Sequence, residues 1–298
     1  MAEPAESNLI TGVKRDISLL KRVDAKVGDR VNVLDISLDK NRQPLMSLLE
    51  RQVEVFYADH HQATDIPINP LLTALINTDA NVCTSLLIDQ HLGHRFTAWA
   101  VTAAFGDNLT GRAFSVAEGL KLSSNQIESL RQLGICLNYN GYGSNLDDLN
   151  FAPDVLYRVL YGYESPLDFM VDRIDIYQAL LDGYTDDMRL ANRTKAEFKT
   201  ENVALFILPD EKWARRVSGV WSNELANLNP NRAHAVLSLN EQGGYLVSVR
   251  APLNNKAGAD ALCAKYPSGG GRMAAAGINN LESDRLSDFM DAFVSAYS

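Results

Sequence analysis

The sequence predicts an α/β fold: a doubly wound parallel-sheet domain followed by a smaller α/β domain, with a cleft between them. Three observations carry this. Over residues 8–59, β-rich runs alternate with helical ones in the β-α-β order that builds parallel sheets. Two of those runs end in a carboxylate, Asp35 and Asp59, where open α/β sheets place their chemistry. Past residue 200 a second set of strands follows a polar, charged stretch of the kind that joins domains.

Taken in order, Asn8-Leu-Ile-Thr-Gly-Val13 reads as a strand and residues 16–26 as a short helix. Residues 30–36, Arg-Val-Asn-Val-Leu-Asp-Ile, read as a second strand, apolar on both faces as a buried parallel strand should be, with Ser37 and Asp39 after it. A helix over 44–52 leads into Val53-Glu-Val-Phe-Tyr-Ala58, where Val53, Val55 and Tyr57 alternate as a strand requires. Asp59-His60-His61 follow at once. A carboxylate and two imidazoles suit Mn²⁺, Zn²⁺ or Fe²⁺, although the triplet read alone is more simply a polar turn.

Asn69-Pro70 opens a helical region that continues through 79–90 and 96–104 and breaks at Gly106, which puts Asp107 on a turn. His91 and His94 are three apart across Gly93, but they fit a helix end and a turn better than a ligand pair. Ser123 and Gln126 have capping-box spacing and start a helix over 123–134. Residues 138–145 are turn-rich, a surface loop whose tyrosines could stack a base. Ser165-Pro166 starts another helix, and a polar helix over 186–200 joins a first domain, 1–190, to a second, 200–298.

The second domain has strands at 203–208, 233–239 and 245–250, with a helix over 213–227 between the first two. His234 is read as a strand residue. A short helix at 257–265 and a closing helix over 283–297 complete the chain; Leu286, Phe289, Met290, Phe293, Val294 and Tyr297 share one face of the latter, a core stripe. Between these helices lies Gly269-Gly270-Gly271-Arg272, then Met-Ala-Ala-Ala-Gly277. Three glycines would leave backbone N–H groups open to an anion, with a closely packed helix or turn behind them at 274–277. Arg272 in the loop and Arg250 at a strand end add charge suited to phosphate.

The bulk composition, 46% hydrophobic and 22% charged, is that of a globular protein. The net charge of −9 argues against a long nucleic-acid duplex as partner, since such binding rests on many basic contacts. Small anions remain possible partners. Residues 1–200 carry a balance of −8 and residues 201–298 only −1, so an anion needs metal ions in the first part or placed arginines in the second. No apolar run approaches the roughly 20 residues of a membrane span, and the start lacks the regions of a secretory signal. Cys83, Cys136 and Cys263 lack metal-ligand spacing and read as reduced thiols in a cytoplasm. Nothing in the composition selects between a monomer and a homo-oligomer.

Taken together these motifs resemble the DHH phosphoesterase superfamily with its C-terminal DHH-associated domain. Val33-Leu34-Asp35 resembles the second motif, Asp59-His60-His61 the signature, and Gly106-Asp107 stands where the fourth motif supplies an Asp. Gly269-Gly270-Gly271 through Ala275-Ala276-Gly277 resembles the associated domain's Gly-Gly-Gly-His-x-x-Ala-Ala-Gly loop, with Arg272 in place of the His. The resemblance implies a hydrolase of phosphate esters or anhydrides, usually using Mn²⁺, with substrates from short oligonucleotides, including very short RNAs, to nucleotides and cyclic dinucleotides. By the same resemblance Asp35, His60 and Asp107 hold metal and Asp59 orients the imidazoles. His61 then faces the reacting phosphate, while Arg250, the three glycines and Arg272 bind the rest of the substrate. The family's acidic first motif has no counterpart; before Asp16 the acidic residues are Glu3 and Glu6. The expectation is that Met1 is a late start in a longer natural protein, and that the chain as given keeps one half-site and weak or no activity. A nucleotide-binding protein without turnover is the alternative.

Overall fold

Strands β1 (Arg30–Leu34), β2 (Glu54–Asp59) and β3 (Leu72–Ile76) form a parallel sheet in the order β1-β2-β3. The register sets Leu34 beside Ala58 and Asp59 beside Ile76, so the C-terminal ends of β1 and β2 are adjacent. The computed structural model describes residues 6–240 and 243–297. Two compact units emerge: one runs to Gly141 and takes in Asn145–Asp182, the other comprises Tyr142–Ser144 and the chain from Gly183 on.

In the first unit, α1 (Leu38–Glu50) joins β1 to β2 and covers one sheet face. Leu38, Leu45, Leu48 and Leu49 pack there against Val33, Val55 and Tyr57. Each such side chain, taken out of water, contributes about 1.5–3 kcal/mol. The helix starts six residues before the position expected from Pro44. It tolerates that proline through a non-helical turn at Asn41 (φ −116°, ψ 15°), whose Nδ2 donates to the carbonyls of Ser37 and Ile17. The expectation that β1 is buried on both faces fails. It is a sheet edge in which only Val33 is buried, and Leu34 is 50% exposed.

Three other expectations in this unit are corrected. Residues 8–13 form no strand, and 16–26 contain a single 3₁₀ turn, Leu19–Arg22, in place of a helix. Ile10 and Ile17 are exposed and Leu20 is the turn's buried residue, so no continuous apolar face supports either element. Past Asn69-Pro70 the chain forms β3, because Asn69 closes an Asx turn onto the Leu71 N–H and delivers the chain to the free edge of β2.

The helical layer comprises α2 (Thr84–His91), α3 (Thr97–Gly106), α4 (Thr110–Ala117), α5 (Ser124–Tyr139), α6 (Pro153–Leu160) and α7 (Pro166–Asp172). The capping box of Ser123 and Gln126 is formed, and Pro166 takes the first turn of α7. Val101, Phe105, Leu130, Leu133 and Phe169 make the core of this layer. α4 carries no strong sequence signal and is seated by Ala113 and Ala117 in that core.

Helix α8 (Ile174–Arg193) begins 12 residues before the expected connector, and residues 198–199 of that stretch form a strand. The second unit holds β4 (Phe198–Lys199), β5 (Val203–Leu208), α9 (Lys212–Leu228), β6 (Ala233–Leu239), β7 (Tyr245–Arg250), α10 (Ala259–Cys263), β8 (Gly269–Arg272), β9 (Ala275–Leu281) and α11 (Leu286–Tyr297). Its sheet has the order β4-β5-β6-β7-β9-β8, with β5 and β6 parallel and the other pairs antiparallel. α9 covers one face through Val217, Trp221 and Leu225; Phe289 and Phe293 of α11 cover the other.

The glycine run is the main correction here. It is no open loop: Gly269–Arg272 pairs antiparallel with Ala275–Leu281 as a hairpin, and residues 275–277 are strand where a helix or turn was expected. A side chain is excluded at Gly269, where a Cβ would lie 1.9 Å from the Cys263 carbonyl oxygen. Among the described residues no helix is long and apolar enough to cross a membrane.

Candidate active site

Asp59 ends β2 with no exposure at all, and its Oδ1 organises the two histidines that follow. It accepts from the His60 backbone N–H at 2.9 Å and from His61 Nδ1 at 2.6 Å. Burial pushes the Asp59 carboxyl up, but the hydrogen bonds and charge of His61 outweigh it and hold the group below the usual carboxylate range. The same bond raises His61, against the opposing effect of its partial burial. With Nδ1 engaged, His61 presents Nε2 outward. His60 is fixed through Nδ1 as well, 2.9 Å from the Val82 carbonyl; that carbonyl can only accept, so Nδ1 carries a proton and Nε2 is the nitrogen whose lone pair the neutral ring offers.

Two carboxylates converge on that lone pair. Asp35 Oδ1 lies 3.5 Å and Asp107 Oδ2 3.7 Å from His60 Nε2. Asp35 follows the last residue of β1 with φ +60°, and its backbone N–H is tied to the Ala58 carbonyl at 3.0 Å. Asp107 caps α3, which approaches α5 through two glycines. A Cβ on Gly106 would lie 2.5 Å from the Gly134 carbonyl oxygen, and one on Gly134 would lie 2.0 Å from that of Thr102. Burial pushes the Asp107 carboxyl up; the His60 charge draws it down and Asp35 pushes it up again.

The atoms fit a divalent ion. Ligand atoms of Asp35, His60 and His61 lie within 4.8 Å of one another, the one such group among the described residues. The carboxylate–imidazole gaps are too long for hydrogen bonds and close to the about 3 Å that separates neighbouring ligands around a small divalent cation. Two carboxylates and an imidazole lone pair suit Mn²⁺ or Zn²⁺.

The site therefore gathers Asp35, His60, His61 and Asp107, with Asp59 beneath. It also uses groups the sequence did not single out. Thr84 Oγ1 donates to Asp35 Oδ1 at 2.6 Å, and Val82 supplies the carbonyl to His60. A patterned signal for either is absent, since their partners are 49 and 22 residues away. The loop beyond His61 is anchored by Asp39, which accepts from the Thr64 N–H and from Arg42. His91 ends α2 and His94 bonds to Asp89, outside this group. A groove of about 680 Å³ runs from Asp35 and Asp107 between the sheet face at Asn32, Leu34 and Phe56 and the helical layer, walled by Phe96, Trp99 and Tyr157.

The remaining predicted residues lie in the second unit. The register places His234, Arg250, Ala275 and Arg272 in one row across β6, β7, β9 and β8, on one sheet face. The neighbouring row is Val236, Ser248, Gly277 and Gly270. Arg250 donates to Asn223 Oδ1 at 2.6 Å and to the carbonyls of Val249 and Gly219, with no ion pair among the described residues; burial lowers its pKa. Gly269 and Gly271 belong to the opposite face, while β8 as the sheet's edge presents outward backbone groups.

The fold of the chain recurs in solved structures. A crystal structure of the exonuclease RecJ bound to manganese superposes with a TM-score of 0.56 at 16% identity, over 91% of this chain and 76% of that one. The DHH domain of a member of a family of ribosomal proteins gives 0.55 at 13% identity, over 89% and 68%. The chain has a DHH-type fold. No protein-family model and no curated sequence matches the chain. Within the DHH fold the second unit supplies the second sheet, with the Arg250 and Arg272 row on it.

Proposed function

We propose that this chain is a divalent-metal-dependent, Mn²⁺-preferring phosphoester hydrolase acting on short single-stranded oligonucleotides or small nucleotides. Residues 1–190 would form the catalytic domain and 200–298 a substrate-binding domain. The observation that carries the reading is the convergence of Asp35 Oδ1 and Asp107 Oδ2 on Nε2 of His60. The similarity to a manganese-bound exonuclease supports the same chemistry.

Asp35, His60 and Asp107 would hold the ion, with His61 beside them. When bound, the ion supplies Lewis acidity and an activated water. The protein's part is positional. The Val82 carbonyl keeps the His60 proton on Nδ1 so that Nε2 stays a ligand. Asp59 holds the His61 Nδ1 proton and raises that ring's basicity, so Nε2 of His61 is suited to carry a proton to the leaving oxygen. Arg250 and Arg272, with the outward backbone of β8, hold substrate phosphate; Gly270 and Gly277 leave the neighbouring row without side chains.

A second reading is favoured by the single cluster of ligand groups among the described residues: nucleotide binding with one ion and no turnover. Mn²⁺ titration with a short dinucleotide separates the two. Turnover that rises with Mn²⁺ supports the hydrolase. One weakly held ion with bound, intact dinucleotide supports the binding protein, and no Mn²⁺ binding refutes both.

A further inference from the structure

We propose that Thr84 is a positioning residue for the metal ligand Asp35. This rests on the metal reading above and extends it to a residue with no place in the motifs. Asp35 sits at φ +60°, in the left-handed region that non-glycine residues adopt as single positions held by their surroundings. Its carboxylate is 63% exposed, so packing does not orient it. The backbone is held by the Ala58 carbonyl; the carboxylate accepts from the Thr84 hydroxyl at 2.6 Å.

Thr84 is itself fixed. It is 5% exposed at the first position of α2. A hydroxyl at a helix start commonly serves that helix, yet Cys83 makes no side-chain cap and Thr84 directs its Oγ1 to Asp35, 49 residues earlier. The oxygen it binds, Oδ1, is the one that faces His60 Nε2. The hydroxyl thus takes one lone-pair direction of Oδ1 and turns the rest of that oxygen toward the ion position. Val82, two residues before, orients His60 by its carbonyl, so the entry to α2 aligns two ligands from one rigid piece of backbone.

The test is Mn²⁺ affinity by electron paramagnetic resonance titration of the full chain, with the metal-free unfolding temperature and circular dichroism measured in parallel. Thr84→Val and Thr84→Ala both remove the hydroxyl, which guards against one failing to fold; Thr84→Ser keeps it. The expectation is a rise in the Mn²⁺ Kd of about 10-fold or more in the folded hydroxyl-free variants, and recovery toward wild type in Thr84→Ser. Wild-type affinity without the hydroxyl, or a Thr84→Ser variant as weak as Thr84→Val, overturns the role of Thr84 while leaving the metal site standing. A wild-type protein that binds no Mn²⁺ overturns both.

Discussion

Gly134→Ala sets two effects of opposite sign against each other inside α5. Helix propensity alone favours alanine over glycine by about 1 kcal/mol, so an exposed site would gain stability. At this position the new Cβ would stand 2.0 Å from the Thr102 carbonyl oxygen and 3.0 Å from the Gly106 nitrogen, and contacts under 3.0 Å essentially do not occur. The obstacle is backbone, with no rotamer to give way, so α3 and α5 must separate by about 1 Å. Overpacking of this kind costs about 1–3 kcal/mol, and at the upper end it wins over propensity by about 2 kcal/mol. Urea unfolding, read by hydrogen exchange of the α3 and α5 amides, measures the difference locally. Because Asp107 follows Gly106, Mn²⁺ binding should weaken in the same variant. A Gly134→Ala protein more stable than wild type by the full propensity gain of about 1 kcal/mol would show that the helices do not touch as described.

Three further outcomes are expected. His60→Ala should abolish Mn²⁺ binding while leaving circular dichroism unchanged; retained binding would remove His60 from the ligand set. Arg250→Ala should weaken dinucleotide binding by several-fold with Mn²⁺ affinity untouched, and a parallel loss of both would count against a phosphate contact. His234 is 1% exposed, and burial followed by the Arg232 charge lowers its pKa to about 4. Its folded pKa lies below the unfolded value, so the unfolded chain binds the extra proton and stability falls as pH drops from about 6.5 towards 4. The full loss is about 3 kcal/mol, and the slope should flatten in His234→Phe; an unchanged slope would place the titrating group elsewhere.

The legible parts of this molecule were those written in short-range pattern. β5, β6 and β7 show as apolar runs bounded by polar turns, and their described limits match those runs. Asp59-His60-His61 was visible because a strand pattern stops beside it, and Asp107 because glycine ends its helix. What the pattern could not carry was contact at a distance. β3 looks unremarkable until β2 offers it an edge, and Thr84 is one hydroxyl among many until α2 brings it to Asp35. The glycine run misled because residues without side chains have no periodicity; only pairing with β9 shows it to be a strand. The kink at Asn41 was hidden for a similar reason, since its amide partner, Ile17, lies 24 residues back.

The groove beside the carboxylates has a consequence for how the site answers its surroundings. Its walls at Leu34, Phe56, Phe96 and Trp99 polarise poorly, and mobile ions cannot follow a charge into them. Attraction between Asp35, Asp107 and a bound cation is therefore screened on one side only. Cation retention should fall with added potassium chloride less steeply than it would for the same carboxylates on an open surface.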